Sequence, residues 1–273
     1  MRAALLQTTS SDDPEENALM LAAMLDAAAG ADLATAPEVT NCVSASRARQ
    51  RAVLTDEASD PVVAAARAGA ARHGLWVQVG VALATEDADG RFANRSLLID
   101  PAGAIVARYD KIHMFDVAID ATETYRESSG YRPGGRAVVA DTPWGGLGLS
   151  VCYDLRFPAL HRALAQAGAR ILSVPSAFSP VTGAAHWEVL LRARAIETGC
   201  VVLAPAQTGA HRAAEGRVRR SHGHALAVAP WGEVLADAGT APGVTMVEID
   251  MEAVDAARRR VPSLDHDRPW SGP

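Results

Sequence analysis

The tightest constraint on what this chain can fold into is a repeated switch of hydrophobic period. Short apolar runs of strand length alternate with stretches carrying the helical period of about 3.6 residues, the pattern of an α/β protein. In the first half, the apolar run 3–6 precedes Ser11-Asp12-Asp13-Pro14-Glu15-Glu16. There an aspartate cap, a proline at the first helical position and early glutamates start a helix expected to reach Gly30. The short apolar stretch 32–38, a helical pattern over 61–73 and the β-rich Leu75-Trp76-Val77-Gln78-Val79-Gly80-Val81 follow. In the second half, 147–152, 170–174 and 200–204 read as strands, and 158–167 and 184–198 as helices. Each half also carries a hairpin: 96–100 with 104–109 about Pro101-Ala102-Gly103, and 225–229 with 233–237 about Pro230-Trp231-Gly232. The pattern predicts two similar α/β halves sharing one core. No Pro/Gly/Ser-rich linker divides them, so residues 1–273 are expected to form a single domain.

Composition narrows the function. A formal net charge of −6 argues against a broad nucleic-acid surface. No apolar run approaches the roughly 18 residues of a membrane span. Polar Gln7-Thr8-Thr9 follows the first apolar residues directly, so neither a membrane anchor nor a signal peptide is expected, and a cytoplasmic protein is. Cys42, Cys152 and Cys200 are far apart and lack CxxC spacing, against both a disulfide framework and a zinc cage. His222 and His224 would share one face of a strand, with His186 and His211 as further imidazoles. Carboxylate or cysteine partners at fixed spacing are missing, so no metal is expected.

Chemistry is sought at the ends of strands. In Leu147-Gly148-Leu149-Ser150-Val151-Cys152-Tyr153-Asp154-Leu155-Arg156-Phe157-Pro158 an apolar strand ends at Cys152 just before a helix, where backbone N–H groups can hold an oxyanion and favour a thiolate. A buried strand-end cysteine acting as a small hydrophobe reads equally well there. Glu38 meets a loop after an apolar run and Lys111 follows the first hairpin; each, taken singly, also reads as a solvated loop charge. Arg156 suits a substrate carboxylate, a helix cap or a nearby acid. The basic stretch Arg212, Arg217, Arg219 and Arg220 suits either steering of acidic substrates or a solvated loop, and whether 211–222 gates the site stays open. Trp187 and Trp231 read as core or turn anchors.

Taken together and in this order, Glu38 in Ala-Pro-Glu, Lys111 in Tyr-Asp-Lys-Ile-His-Met-Phe-Asp and Cys152 in Ser-Val-Cys-Tyr-Asp-Leu-Arg-Phe-Pro closely resemble the nitrilase superfamily of carbon–nitrogen hydrolases. The resemblance covers essentially the whole chain. Ser176-Ala177-Phe178 through the stretch 182–198, and Ser221-His222-Gly223-His224 leading into Pro230-Trp231-Gly232-Glu233, resemble the amidase branch that includes deaminated-glutathione amidases and omega-amidases, the first more closely. The resemblance implies a four-layer α-β-β-α sandwich, dimerised through one helical face, with no metal and no organic cofactor. It implies Cys152 as nucleophile, Glu38 as general base and later acid, and Lys111 as the cation for the oxyanion beside the Tyr153 backbone N–H. Glu127 would position the lysine or substrate. Tyr153, Arg156 and His186 are the candidate substrate-binding residues, with His186 also suited to opening the helix 184–198 or packing near the site. The implied reaction hydrolyses a small acidic amide to a carboxylic acid and ammonia through a thioester. 2-Oxoglutaramate and short aliphatic amides are alternative substrates. The rival is a non-catalytic scaffold, which has no chemical reason to keep Glu38, Lys111, Glu127 and Cys152 together.

Two departures stand out. Ala36 replaces a common bulky aromatic, which would reshape the pocket beside Glu38, and Asp267 stands where a second arginine is usual, which puts dimer contacts through the tail in doubt.

Overall fold

A computed structural model describes residues 1–86, 89–119 and 124–272. The first half runs β1 (Arg2–Gln7), α1 (Pro14–Ala27), β2 (Leu33–Thr35), α2 (Arg47–Val53), α3 (Pro61–His73), β3 (Trp76–Leu83), β4 (Ala93–Ile99) and β5 (Ile105–Asp110). The ribbon β6 (Asp116–Ala118) and β7 (Thr124–Arg126) leads into β8 (Val138–Thr142), β9 (Gly145–Leu149), α4 (Pro158–Gln166), β10 (Ala169–Ser173), α5 (Pro180–Thr198) and β11 (Val201–Ala204). A second ribbon, β12 (Thr208–Ala210) and β13 (Arg220–His222), and the hairpin β14 (Leu226–Val228) and β15 (Val234–Asp237) come next. β16 (Gly243–Glu248) and α6 (Glu252–Arg260) follow.

The strands form two sheets of matching design, β16-β1-β2-β3-β4-β5 and β15-β14-β11-β10-β9-β8. Each has three parallel central strands, an antiparallel hairpin on one side and one antiparallel strand on the other. The central strands are buried on both faces, which is why they read as unbroken apolar runs. Alternation decides the layers. Ala4, Leu6, Ala34, Val77 and Val79 pack under Leu21 and Leu25 of α1 and Val62, Val63 and Ala66 of α3. Ala3, Leu5, Leu33 and Leu98 share the other core with Leu147, Leu149 and Ile171 of the second sheet, whose outer side α4 and α5 cover with Leu160, Leu164, Trp187 and Leu191. The fold is the α-β-β-α sandwich. Among the described residues no helix is long and apolar enough to cross a membrane.

Several boundaries differ from the sequence expectation. α1 stops at Ala27, short of Gly30, because the Ala28 N–H already closes the last turn and Gly30 swings to φ 87°. α5 begins at Pro180 rather than 184, since Ser179 caps the Thr182 N–H ahead of a first-turn proline. β9 ends at Leu149, so Cys152 stands in the turn beyond the strand. β16 was not anticipated at all, yet it pairs with β1 along its whole length, so the end of the chain completes the first sheet.

One contact ties this scaffold to the site. A Cβ on Gly80 of β3 would lie 2.6 Å from the Pro37 carbonyl oxygen and 2.7 Å from Glu38 Cα, backbone atoms with no room to retreat. Gly80→Ala is expected to cost about 1–3 kcal/mol through overpacking and to lower turnover by displacing Glu38. A urea-unfolding midpoint and a kcat measurement check both effects.

Candidate active site

Glu38 lies beyond the C-terminal end of β2, Lys111 directly after β5, and Cys152 at the head of the 3-10 turn Cys152–Arg156 after β9. Stacking the sheets brings these three ends together. Lys111 Nζ donates to Glu38 Oε1 at 2.9 Å and to Glu127 Oε1 and Oε2 at 2.9 and 2.8 Å. Asn94 Nδ2, inside β4, donates to Glu38 Oε1 at 2.7 Å and Glu127 Oε1 at 3.1 Å. The Ala177 N–H donates to Glu38 Oε2 at 2.9 Å, and the Phe115 N–H to Glu127 Oε2 at 2.6 Å. The Cys152 thiol and the Glu38 carboxylate lie near enough to shift each other's proton affinity. Lys111 is only 2% exposed and Glu38 5%, so this is a desolvated ion cluster that is stable because every charge is partnered.

That cluster sets the protonation states. Burial pushes the Glu38 carboxyl up, but the charge and hydrogen bond of Lys111, with the Cys152 thiol and the Asn94 amide, hold it below the usual carboxylate range. Burial, followed by the charge of Glu38, drives the Cys152 thiol well above its ordinary value. Burial works against the Lys111 ammonium, yet Glu127 and Glu38 keep its pKa well above the usual lysine value. At neutral pH the site therefore holds a thiol, a carboxylate beside it and an ammonium.

The turn bearing Cys152 is held by Asp154, which is fully buried. Its Oδ2 accepts from the Tyr109 hydroxyl at 2.7 Å and the Val151 N–H at 2.9 Å; its Oδ1 accepts from the His113 N–H at 3.0 Å and lies 2.7 Å from His113 Nδ1. These bonds fix Cys152 at φ 51°, a left-handed conformation that costs a non-glycine residue about 1–3 kcal/mol. Such a turn lifts the side chain out of the strand and towards a cavity of about 380 Å³, within the range of small-molecule sites. Glu38, Lys111, Glu127 and Cys152 line it, together with the rings of Phe115, Tyr125, Tyr131, Tyr153 and Phe178.

Residues 2–259 match the carbon–nitrogen hydrolase family. The chain belongs to the carbon–nitrogen hydrolases. It is 42% identical over 268 residues to the deaminated glutathione amidase of Yersinia enterocolitica, covering 97% of this chain and 92% of that one. Among solved structures, the NitFhit protein of C. elegans superposes with a TM-score of 0.88 at 36% identity, over 98% of this chain and 65% of that longer protein. A variant of the amidase from Nesterenkonia sp. AN1, whose active-site cysteine has undergone Michael addition of acrylamide, matches with a TM-score of 0.77 at 25% identity, over 96% of this chain and 98% of that one. As a carbon–nitrogen hydrolase, this protein is an amidase that cleaves C–N bonds.

Other expectations sort differently on this hydrolase. Arg156 and His186 are not among the residues lining the cavity: Arg156 Nη2 sits 3.2 Å from His186 Nδ1, and its guanidinium lies 5.6 Å over the Phe178 ring and 6.0 Å over Tyr153, two rings that do line it. Ala36 packs into the helix-covered core, so it does not reshape the pocket. Asp267 binds Arg162 at 2.6 Å and Gln166 at 2.7 Å, folding the tail onto α4. His222 and His224 do stack, at 4.8 Å, and His224 bonds Asp237, while His211 is buried between the Ser10 carbonyl and the Ser221 hydroxyl. Trp187 is core; Trp231 is half-exposed beneath the Arg260 guanidinium. Sequence reasoning missed Asn94, whose only local signal is a polar residue inside an apolar strand, and Arg47, which lines the cavity from α2.

Proposed function

We propose that the protein hydrolyses the amide of a small acidic molecule through a thioester on Cys152. The observation that carries this reading is that Cys152, Glu38 and the Lys111 ammonium bound to Glu38 all line one cavity. Glu38 takes the thiol proton as Sγ bonds to the amide carbon, and the carbonyl electron pair moves onto oxygen. Lys111 and the Tyr153 backbone N–H hold that oxyanion. The C–N bond then breaks, Glu38 returns the proton to nitrogen, and the amine departs, as ammonia where the amide is primary. Water next loses a proton to Glu38 and attacks the thioester; the C–S bond breaks and the carboxylic acid leaves with the thiol restored. Glu127 keeps Lys111 aimed by accepting from it with both oxygens. Deaminated glutathione, the compound for which the relatives are named, is the first substrate to test, beside 2-oxoglutaramate and simple aliphatic amides. Absence of turnover on all of them would favour a scaffold. A cytoplasmic setting and dimerisation through one helical face belong to the same reading; exposed Val181, Val189 and Ile196 give α5 an apolar outer side.

The pH profile follows from the site's charges. Glu38 must be ionised to act as base and is held below the usual carboxylate range, so kcat/KM should fall only as pH drops below about 4.3. No basic limb is expected near pH 8.5, where a free thiol titrates, because burial and Glu38 keep Cys152 protonated beyond it. A profile with an acid limb at pH 6 or above would overturn this assignment.

A further inference from the structure

The charged side chains lining the cavity, among the described residues, are five cations and two carboxylates, in a chain whose formal net charge is −6. Lys111 already spans both carboxylates. Arg47, Arg217 and Arg219 make no ion pair among the described residues. Arg47 instead lies 5.0 Å over the Tyr131 ring with its Nη1 on Gln50 Oε1 at 2.5 Å, an arrangement that fixes the guanidinium plane and leaves its other N–H groups available. Space for this pose exists because residue 130 is glycine: a Cβ there would fall 2.0 Å from Arg47 Cζ.

Arg217 and Arg219 arrive from a segment that is tied to the same wall. Asp12 Oδ2 accepts the Ala214 N–H at 2.8 Å, Arg212 pairs with Glu16, and the His211 N–H bonds the Arg219 carbonyl at 2.9 Å. Gly216, at φ 85°, passes against Ser46, the cap of α2, and so sets Arg217 beside the start of the helix that carries Arg47. The charges of Arg47 and Arg219 both bear on the Tyr131 hydroxyl.

We infer that Arg47, Arg217 and Arg219 form a carboxylate subsite in this cavity, taking an acid group of the substrate remote from its scissile amide. The inference rests on the amidase reading and adds to it the residues that would recognise the acid group of the substrate. Arg47 and Arg219 are half-buried, and a guanidinium–carboxylate contact at such a position is worth roughly tenfold in affinity, whereas exposed Arg217 contributes less.

The test uses glutaramate and its uncharged counterpart pentanamide. The wild-type protein should favour glutaramate in kcat/KM by at least about tenfold, and Arg47→Gln and Arg219→Gln should each shrink that ratio by about tenfold. Gly130→Ala, which keeps every charge but evicts Arg47 from its pose, should shrink it too. A ratio unchanged in all three variants overturns the subsite. If neither amide turns over, calorimetric titration of Cys152→Ala protein with glutarate reads the subsite alone. Binding that weakens with the arginine substitutions upholds it while the amidase reading falls, and binding that is absent or indifferent to them overturns it.

Discussion

In the Cys152→Ala protein, hydrolysis of any amide the wild type accepts should fall by roughly 10⁴-fold or more, the loss seen when a covalent nucleophile is removed from a site whose parts act as a unit. The residual rate would be what Lys111 and the backbone donors supply by polarising the carbonyl. Structure should survive, because the change removes one buried sulfur and relieves nothing else: the turn stays held by the four hydrogen bonds to Asp154 and by the Cys152 N–H on the Pro175 carbonyl. Acid-quenched wild-type protein should show an acyl adduct on the peptide carrying Cys152, and the variant none. A loss smaller than about tenfold would mean that another group attacks the amide.

Lys111→Met should show the other large effect, on stability as well as on rate. It removes the cation between buried Glu38 and partly buried Glu127, which already share the Asn94 amide. Breaking a buried pair in this way costs about 3–5 kcal/mol. The sign of the pH response should also reverse. In the wild type, ionised Glu38 favours the fold above the ordinary carboxylate pKa, and this contribution is lost as pH falls through its depressed folded value. In the variant, burial and mutual repulsion raise at least one carboxylate, so the folded state takes up a proton and stability increases from pH 8 to pH 5. Urea midpoints at the two pH values decide the matter; equal midpoints would mean that the carboxylates separate and rehydrate once the lysine is gone.

Much of this architecture is legible in the sequence, and the exceptions have physical causes. The central strands of both sheets stand out because burial on both faces leaves no polar alternation. Glu38 and Cys152 follow such runs and Lys111 follows the outer strand β5, but each taken singly also reads as an ordinary loop charge or buried thiol, and it is their order in the resembling motifs that marks them. Asn94 is hidden because its partners come from β2, β5 and the turn after β7, contacts of register that no local spacing contains. Arg47 is hidden for a different reason: Arg47-Ala48-Arg49-Gln50-Arg51-Ala52-Val53 has no apolar stripe, and the helix forms on the Ser46 cap and the burial of Gln50. β16 and α6 bury little apolar surface, with Val254 and Ala257 the buried residues of α6, so neither offers the unbroken apolar run that marks the central strands. Arg156 shows how contacts outside the local sequence set a side chain: the rings of Tyr153 and Phe178 and His186 of α5 hold its guanidinium, none of them legible from its position four residues past Cys152.

Glu38 is gripped from both layers of strands at once: Asn94 belongs to one sheet, Ala177 follows β10 of the other, and the Glu38 carbonyl is bound by Gln207 from beyond β11 at 3.1 Å. On the proposed mechanism the proton-transferring group is thus also a clasp across the seam of the molecule, and a motion that parts the two sheets would break these contacts and move the base away from the thiol.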